Sequence, residues 1–171
     1  TPMLRSQTLS NRVGAPVYLK CENLQKTGAF KVRGALHRLL QLSDEQRARG
    51  VATISAGNHA QALAWAATAA GVRCLVVMPE SASPTKIRAS REYGAEVILH
   101  GDAKAAFTKV FELSEERGMT FVHPFDDEEV VAGHGSCGLE IVDQLPGVHT
   151  IVVPVGGGGL SSAIGTSVAA A

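Results

Sequence analysis

The sequence has no excess charge of either sign: 16 Lys and Arg stand against 16 Asp and Glu, and the pI is near 7.0. That balance leaves no basic footprint for nucleic acid or for an anionic membrane surface. Long apolar runs are also missing. Nothing approaches the roughly 20 residues needed to cross a bilayer, and the stretch Leu63–Ala70 is short, alanine-rich and closed by Gly71, as a buried helix is. Arg5 and Arg12 are followed by no apolar segment of the kind a signal peptide carries. Cysteine is scarce. Cys21, Cys74 and Cys137 are an odd number at wide spacing, which excludes a disulfide framework or a zinc ribbon and fits a reducing cytosol. The six histidines show no metal-ligand spacing. What is abundant is glycine, 18 of 171 residues, while only 19% are charged. A chain of this size can bury about 70% of its unfolded surface, enough for one domain or two small ones.

The spacing of apolar residues predicts a strand at Val17–Cys21 and a helix over Lys31–Leu42. A regular alternation follows, with strands at Val51–Ser55, Val72–Met78, Ala95–Leu99 and Met119–Val122. Helices at Asn58–Ala70, from Ser83-Pro84 to Tyr93, and over Asp102–Arg117 lie between them. Four strands separated by three helices describe an α/β fold with a parallel, doubly wound sheet. Beyond His123-Pro124-Phe125-Asp126-Asp127 the rhythm changes. A glycine-punctuated turn at Gly133–Gly138 is expected to lead into a helix at Leu139–Leu145, and Thr150–Val155 reads as one more buried strand. The Asp126–Val130 region is the expected crossover between a small domain, 47–130, and a second domain built from 1–46 and 131–171.

Two glycine loops compete as ligand sites. In Val155-Gly156-Gly157-Gly158-Gly159-Leu160 an apolar segment runs into four side-chain-free residues and then a helix. That arrangement exposes backbone N–H groups and a positive helix end to a phosphate, although a tight turn with no ligand would use some of the same residues. No Gly-Lys-Ser/Thr follows, so this is not a Walker loop. Gly133-His134-Gly135-Ser136-Cys137-Gly138 matches G-x-G-x-x-G, but no clean strand precedes it and no acidic residue stands about 20 positions on. A structural turn is the better account of that segment.

Lys31 falls in the first turn of its helix, where the helix dipole opposes a positive charge and lowers the amine's pKa. That suits a Schiff-base lysine and is equally compatible with an ordinary solvated one. Ser55-Ala56-Gly57-Asn58-His59 lies between a strand end and a helix start, the position at which open α/β sheets bind ligands. Backbone N–H groups there can hold a carboxylate. Asn58 can donate to an oxygen or serve as the helix N-cap, and His59 reads as a packing group or a supporting one.

Taken in order, several motifs resemble the threonine/serine dehydratases among the fold type II pyridoxal-phosphate enzymes. They are Lys20-Cys21-Glu22-Asn23-Leu24-Gln25, Thr27-Gly28-Ala29-Phe30-Lys31-Val32-Arg33-Gly34-Ala35, Ser55-Ala56-Gly57-Asn58-His59-Ala60-Gln61, Pro124-Phe125-Asp126-Asp127 and the tetraglycine loop. The resemblance implies that Lys31 carries pyridoxal 5'-phosphate, with Phe30 packed beside it, and that Asn58 bonds the phenolic oxygen. It assigns the cofactor phosphate to Gly156, Gly157, Gly158, Gly159 and Leu160, and the substrate carboxylate to Ser55, Ala56, Gly57 and Asn58. The implied reaction is deaminating dehydration of L-threonine or L-serine, the small amino-acid substrate, in a cytoplasmic homo-oligomer. Serine racemases of this family carry a serine where this chain has Ala56, which favours elimination. His134 stands where glutamine is usual. Other fold type II enzymes, or an inactive fragment of the fold, are the alternatives. Family members exceed 300 residues, so this sequence is expected to be part of a longer chain, with the group at the pyridine nitrogen beyond Ala171.

Overall fold

The computed structural model describes residues 1–171. Its centre is a four-stranded parallel sheet of β3 (Val51–Ile54), β4 (Cys74–Met78), β5 (Glu96–Leu99) and β6 (Thr120–Phe121), in the order β5-β4-β3-β6. The strands alternate their faces with the two-residue period of extended chain. Val51, Val76 and Met78 bury one way, against Ala60, Leu63, Ala64 and Ala67 of α4 (Asn58–Ala69). Ala52, Leu75 and Val77 bury the other way, against Ala106, Val110 and Leu113 of α6 (Ala103–Arg117). Helix α5 (Pro84–Glu92) joins the α4 side. Helices on both faces of a parallel sheet make the doubly wound α/β arrangement that the alternation predicts.

The N-terminal segment contains two elements that the sequence pattern does not reveal. Strand β1 (Met3–Arg5) pairs antiparallel with β2 (Tyr18–Lys20) around helix α1 (Gln7–Val13). Helix α2 (Lys31–Leu40) then leads to α3 (Asp44–Arg49). Helix α3 opens with a capping box in which Ser43 and Gln46 satisfy each other's backbone N–H groups, a signal present in the sequence.

Two expectations are corrected. Residues 133–138 do not form a turn: they lie inside one continuous helix, α7 (Glu128–Gln144). Gly133 and Gly138 are there for close packing. A Cβ at Gly133 would stand 2.7 Å from the Arg33 carbonyl oxygen and 2.8 Å from Gly34 Cα, and one at Gly138 would stand 3.2 Å from Ile164 Cα. Helix α7 therefore meets α2 and α8 (Gly159–Ala169) almost backbone to backbone. Residues 150–155 likewise form no strand. No neighbouring edge pairs with them, and Val152 and Val155 are 92% and 72% exposed, although Ile151 and Val153 pack beside Cys137, Ile141 and Ile164.

Candidate active site

Lys31 is the first residue of α2, and the preceding Phe30 offers no side-chain cap. The Lys31 amine donates to the Pro124 carbonyl at 2.5 Å and stands 5.2 Å from the centroid of the Phe30 ring. Burial lowers its pKa from the ordinary lysine value, in the direction that makes an amine nucleophilic.

One residue beyond Pro124, the chain reaches the tetraglycine loop. A Cβ at Gly157 would stand 2.6 Å from Phe125 Cδ1, and one at Gly159 would stand 3.0 Å from the Phe125 carbonyl oxygen. Gly158 has φ +87°, a left-handed conformation that favours glycine. Gly158 is also the N-cap of α8 and carries no capping side chain. Ser162 N–H closes the first helical bond to Gly158 at 2.9 Å, so the amides of Gly159, Leu160 and Ser161 are the ones a helix start leaves free for an anion. The turn at residues 123–126 thus touches both the lysine and the glycine loop. It is held by His123 Nδ1, which accepts from the Asp126 N–H at 2.8 Å and the Phe125 N–H at 3.3 Å.

Ser55, Ala56 and Gly57 follow β3 and lead directly into α4. The Ser55 hydroxyl accepts from the Gly57 N–H at 3.1 Å. The N-cap of α4 is Gly57, not Asn58. Asn58 is instead the first helical residue, and its Oδ1 accepts from Lys86 on α5 at 3.1 Å. That bond turns the amide's two N–H donors free of Lys86. Lys86 was not evident in the sequence, since it lies 28 positions from Asn58 with no local pattern joining them.

Beneath the lysine lies a dense polar layer. Arg33 holds Glu22 through Nε at 2.8 Å and Nη2 at 2.9 Å, and Glu140 through Nη1 at 2.6 Å and Nη2 at 2.8 Å. Lys20 adds a bond to Glu140 at 2.5 Å. Hydrogen bonds from Arg33 hold the Glu140 carboxyl far below its ordinary range, against the opposing effect of burial. Burial raises the Glu22 pKa, but bonds from Arg33 and Thr1 outweigh it and the net shift is downward. The forked guanidinium serving two carboxylates ties the chain before α2 to α7.

Two buried histidines flank this layer. His59 is 2% exposed, and neither ring nitrogen has a hydrogen bond. The Val122 carbonyl, near the His59 ring, accepts from the Thr53 hydroxyl at 2.7 Å. Burial, then the Lys31 charge, pushes His59 down to about 3. His134 is fully buried and is pushed to about 4 by burial, then by Lys31 and Arg33. Both rings are neutral beside the lysine.

The profile of the family described as "Pyridoxal-phosphate dependent enzyme" matches residues 1–171. The chain belongs to that family. Among the chain's relatives, an L-threonine ammonia-lyase of Geobacter sulfurreducens is 50% identical over 169 residues, covering 98% of this chain and 42% of that protein. The solved structure of the processed form of threonine deaminase isoform 2 from Solanum lycopersicum superposes with a TM-score of 0.94 at 40% identity, covering 98% of this chain and 46% of that one. Maize serine racemase gives a TM-score of 0.97 at 36% identity, covering 99% and 52%. The chain spans about half the length of the curated relatives it matches.

The residues present fit the family's cofactor. The uncapped start of α8, with Gly156 and Gly158 facing open space, suits a phosphate. The desolvated Lys31 amine suits an aldehyde. No helix is long and apolar enough to cross a membrane.

Proposed function

We propose that the protein carrying this chain is a pyridoxal-phosphate-dependent ammonia-lyase that converts L-threonine to 2-oxobutanoate and ammonia, or L-serine to pyruvate and ammonia. The observation that carries the reading is the turn at Pro124–Phe125, which brings the desolvated Lys31 amine and the glycine-rich start of α8 to one place. In this reading Lys31 would hold the cofactor through its amine, and the same amine, when free, would take the proton from the substrate Cα. Bound there, the cofactor supplies the electron sink that such a proton loss requires. Gly156, Gly157, Gly158, Gly159 and the Leu160 amide hold its phosphate, and Phe30 packs beside it. Asn58, oriented by Lys86, donates to its phenolic oxygen. Ser55, Ala56, Gly57 and Asn58 hold the substrate carboxylate through backbone N–H groups at the start of α4.

The β-hydroxyl, given a proton, would leave as water, and the enamine released when the Lys31 amine retakes its place would tautomerise to an imine that water hydrolyses to the 2-oxo acid and ammonia. Elimination is preferred over racemisation because position 56 is alanine, which offers no hydroxyl for a second proton transfer. The same reading divides the chain into a small domain, 47–130, and a cofactor domain to which 1–46 and 131–171 contribute. It assigns the enzyme to the cytoplasm as a homo-oligomer acting on a small amino acid.

The test is direct. Pyridoxal phosphate is added, the adduct is reduced with borohydride, and the modified peptide is mapped. Label on Lys31, followed by 2-oxo acid release from L-threonine or L-serine, supports the reading. Absence of label at saturating cofactor overturns it.

A further inference from the structure

His134 projects from α7 and has no exposed surface, yet it reaches α2 at two points. Its Nδ1 accepts the Gly34 N–H at 3.1 Å. Its ring meets Phe30 edge-on, with centroids 4.9 Å apart. Residues 30 and 34 bracket Lys31, and the Phe30 ring lies 5.2 Å from the Lys31 amine. We propose that His134 is a positioning residue for Lys31, fixing the first turn of α2 and the Phe30 ring together so that the amine is held in place. This inference rests on the reading of Lys31 as the cofactor lysine.

The local chemistry explains why an imidazole can do this. The N-cap of α2 has no capping side chain, and its carbonyl takes the Arg33 N–H at 3.0 Å. The Gly34 N–H is satisfied from another helix, by a side chain acting as a cap at long range. Because Nδ1 accepts, the ring proton sits on Nε2. Residue 34 has to be glycine for the ring to approach, since a Cβ there would stand 2.5 Å from His134 Cε1.

The role belongs to the neutral ring. A protonated imidazole would aim a donor at the Gly34 N–H and release the turn. The charged and titratable groups around the ring are Lys31 and Arg33 on α2, Glu22 before it, and His59 on α4. The two nearby cations, together with burial, oppose protonation.

Asparagine places its Oδ1 at the same bond distance from Cα as the histidine Nδ1, so His134→Asn keeps the acceptor. His134→Leu keeps apolar bulk and removes it. The experiment uses the whole polypeptide in three forms: the parent, H134N and H134L, with folding matched by near-ultraviolet circular dichroism. Attachment of pyridoxal phosphate is followed by absorbance from pH 6 to pH 9, as the Lys31 amine adds to the aldehyde carbon and water leaves. Exchange of the Gly34 amide is followed in the same samples.

The expected result is attachment slowed about tenfold in H134L, with Gly34 exchange accelerated and the pH profile shifted. H134N is expected to return within about threefold of the parent. Attachment at the parental rate in H134L overturns the proposal, as does equal impairment of both variants. A parent that never labels at Lys31 overturns the functional reading and this inference together. Labelling that is indifferent to residue 134 overturns the inference alone.

Discussion

The Lys31 amine donates to the Pro124 carbonyl at 2.5 Å, which joins the start of α2 to the turn that packs on the glycine loop. The charge is an awkward one to keep there. It is desolvated, and it stands at a helix start, where the dipole disfavours a cation. Replacement by an isosteric apolar side chain removes both penalties and loses one hydrogen bond. Lys31→Met is therefore expected to leave stability unchanged or raise it by up to about 1 kcal/mol, while abolishing borohydride-trapped cofactor. Thermal melts and adduct mass measure the two outcomes, and a large loss of stability would contradict the account of the site.

The glycine loop gives a graded prediction. Gly156 faces open space, whereas a Cβ at Gly157 would stand 2.6 Å from Phe125 Cδ1. Gly157→Ala should displace Phe125 and cost about 1–3 kcal/mol, and Gly156→Ala less than about 1 kcal/mol. Cofactor affinity, read by fluorescence titration, should fall further in the first variant than in the second. Equal effects would mean that Phe125 does not hold the loop.

Lys86 is the positioning group for Asn58, because its Nζ reaches the Asn58 Oδ1 at 3.1 Å. The pair is exposed, so its loss should hardly change stability. Lys86→Met frees the amide to rotate and is expected to weaken cofactor binding about three- to tenfold, with a melting temperature within about 1 °C of the parent. A comparison with Asn58→Ala tests this: Lys86→Met should have no further effect once Asn58 is gone.

Much of this was legible in the sequence because it was local. Each parallel strand from β3 to β6 is bounded by turn residues and followed or preceded by an apolar-faced helix, and the tetraglycine loop needs no partner to be noticed. The misreadings arise where distant parts of the chain decide. Gly133, Gly135 and Gly138 look like a turn because glycine weakens a helix, and only contact with α2 and α8 shows why a helix tolerates them there. Residues 150–155 are apolar and β-branched, yet a strand needs an edge to pair with. The Asn58–Lys86 and Gly34–His134 bonds join residues 28 and 100 positions apart, and no periodicity encodes either.

Arg33 is the most connected side chain of the polar layer, with bonds to both Glu22 and Glu140. Removing it leaves Glu22 without its main partner and Glu140 with Lys20 alone as a side-chain cation. Arg33→Met is expected to cost about 2–4 kcal/mol in urea unfolding. Arg33→Lys should recover less than half of that, because one ammonium cannot reproduce a fork shared between two carboxylates. Full recovery by lysine would show that charge alone matters.

Stability should depend on pH in two separable windows. His59 and His134 have folded pKa values near 3 and near 4, below the ordinary 6.5. Between those limits the unfolded chain binds more protons than the folded one, so stability is complete above about pH 6.5 and falls as the solution is acidified. Each ring can contribute a slope of up to about 1.4 kcal/mol per pH unit. Glu22 and Glu140 have lowered pKa values as well, but their contribution is retained above the ordinary carboxylate range and is lost only below about pH 4.3. The fall between pH 6.5 and pH 5 therefore belongs mainly to the histidines. Urea midpoints at pH 7, 6 and 5 should decline steadily in the parent. The decline should flatten in His59→Asn,His134→Asn, even though that variant starts from a lower midpoint. A parent midpoint that stays constant down to pH 5 would show that the two rings are not held neutral by burial beside Lys31.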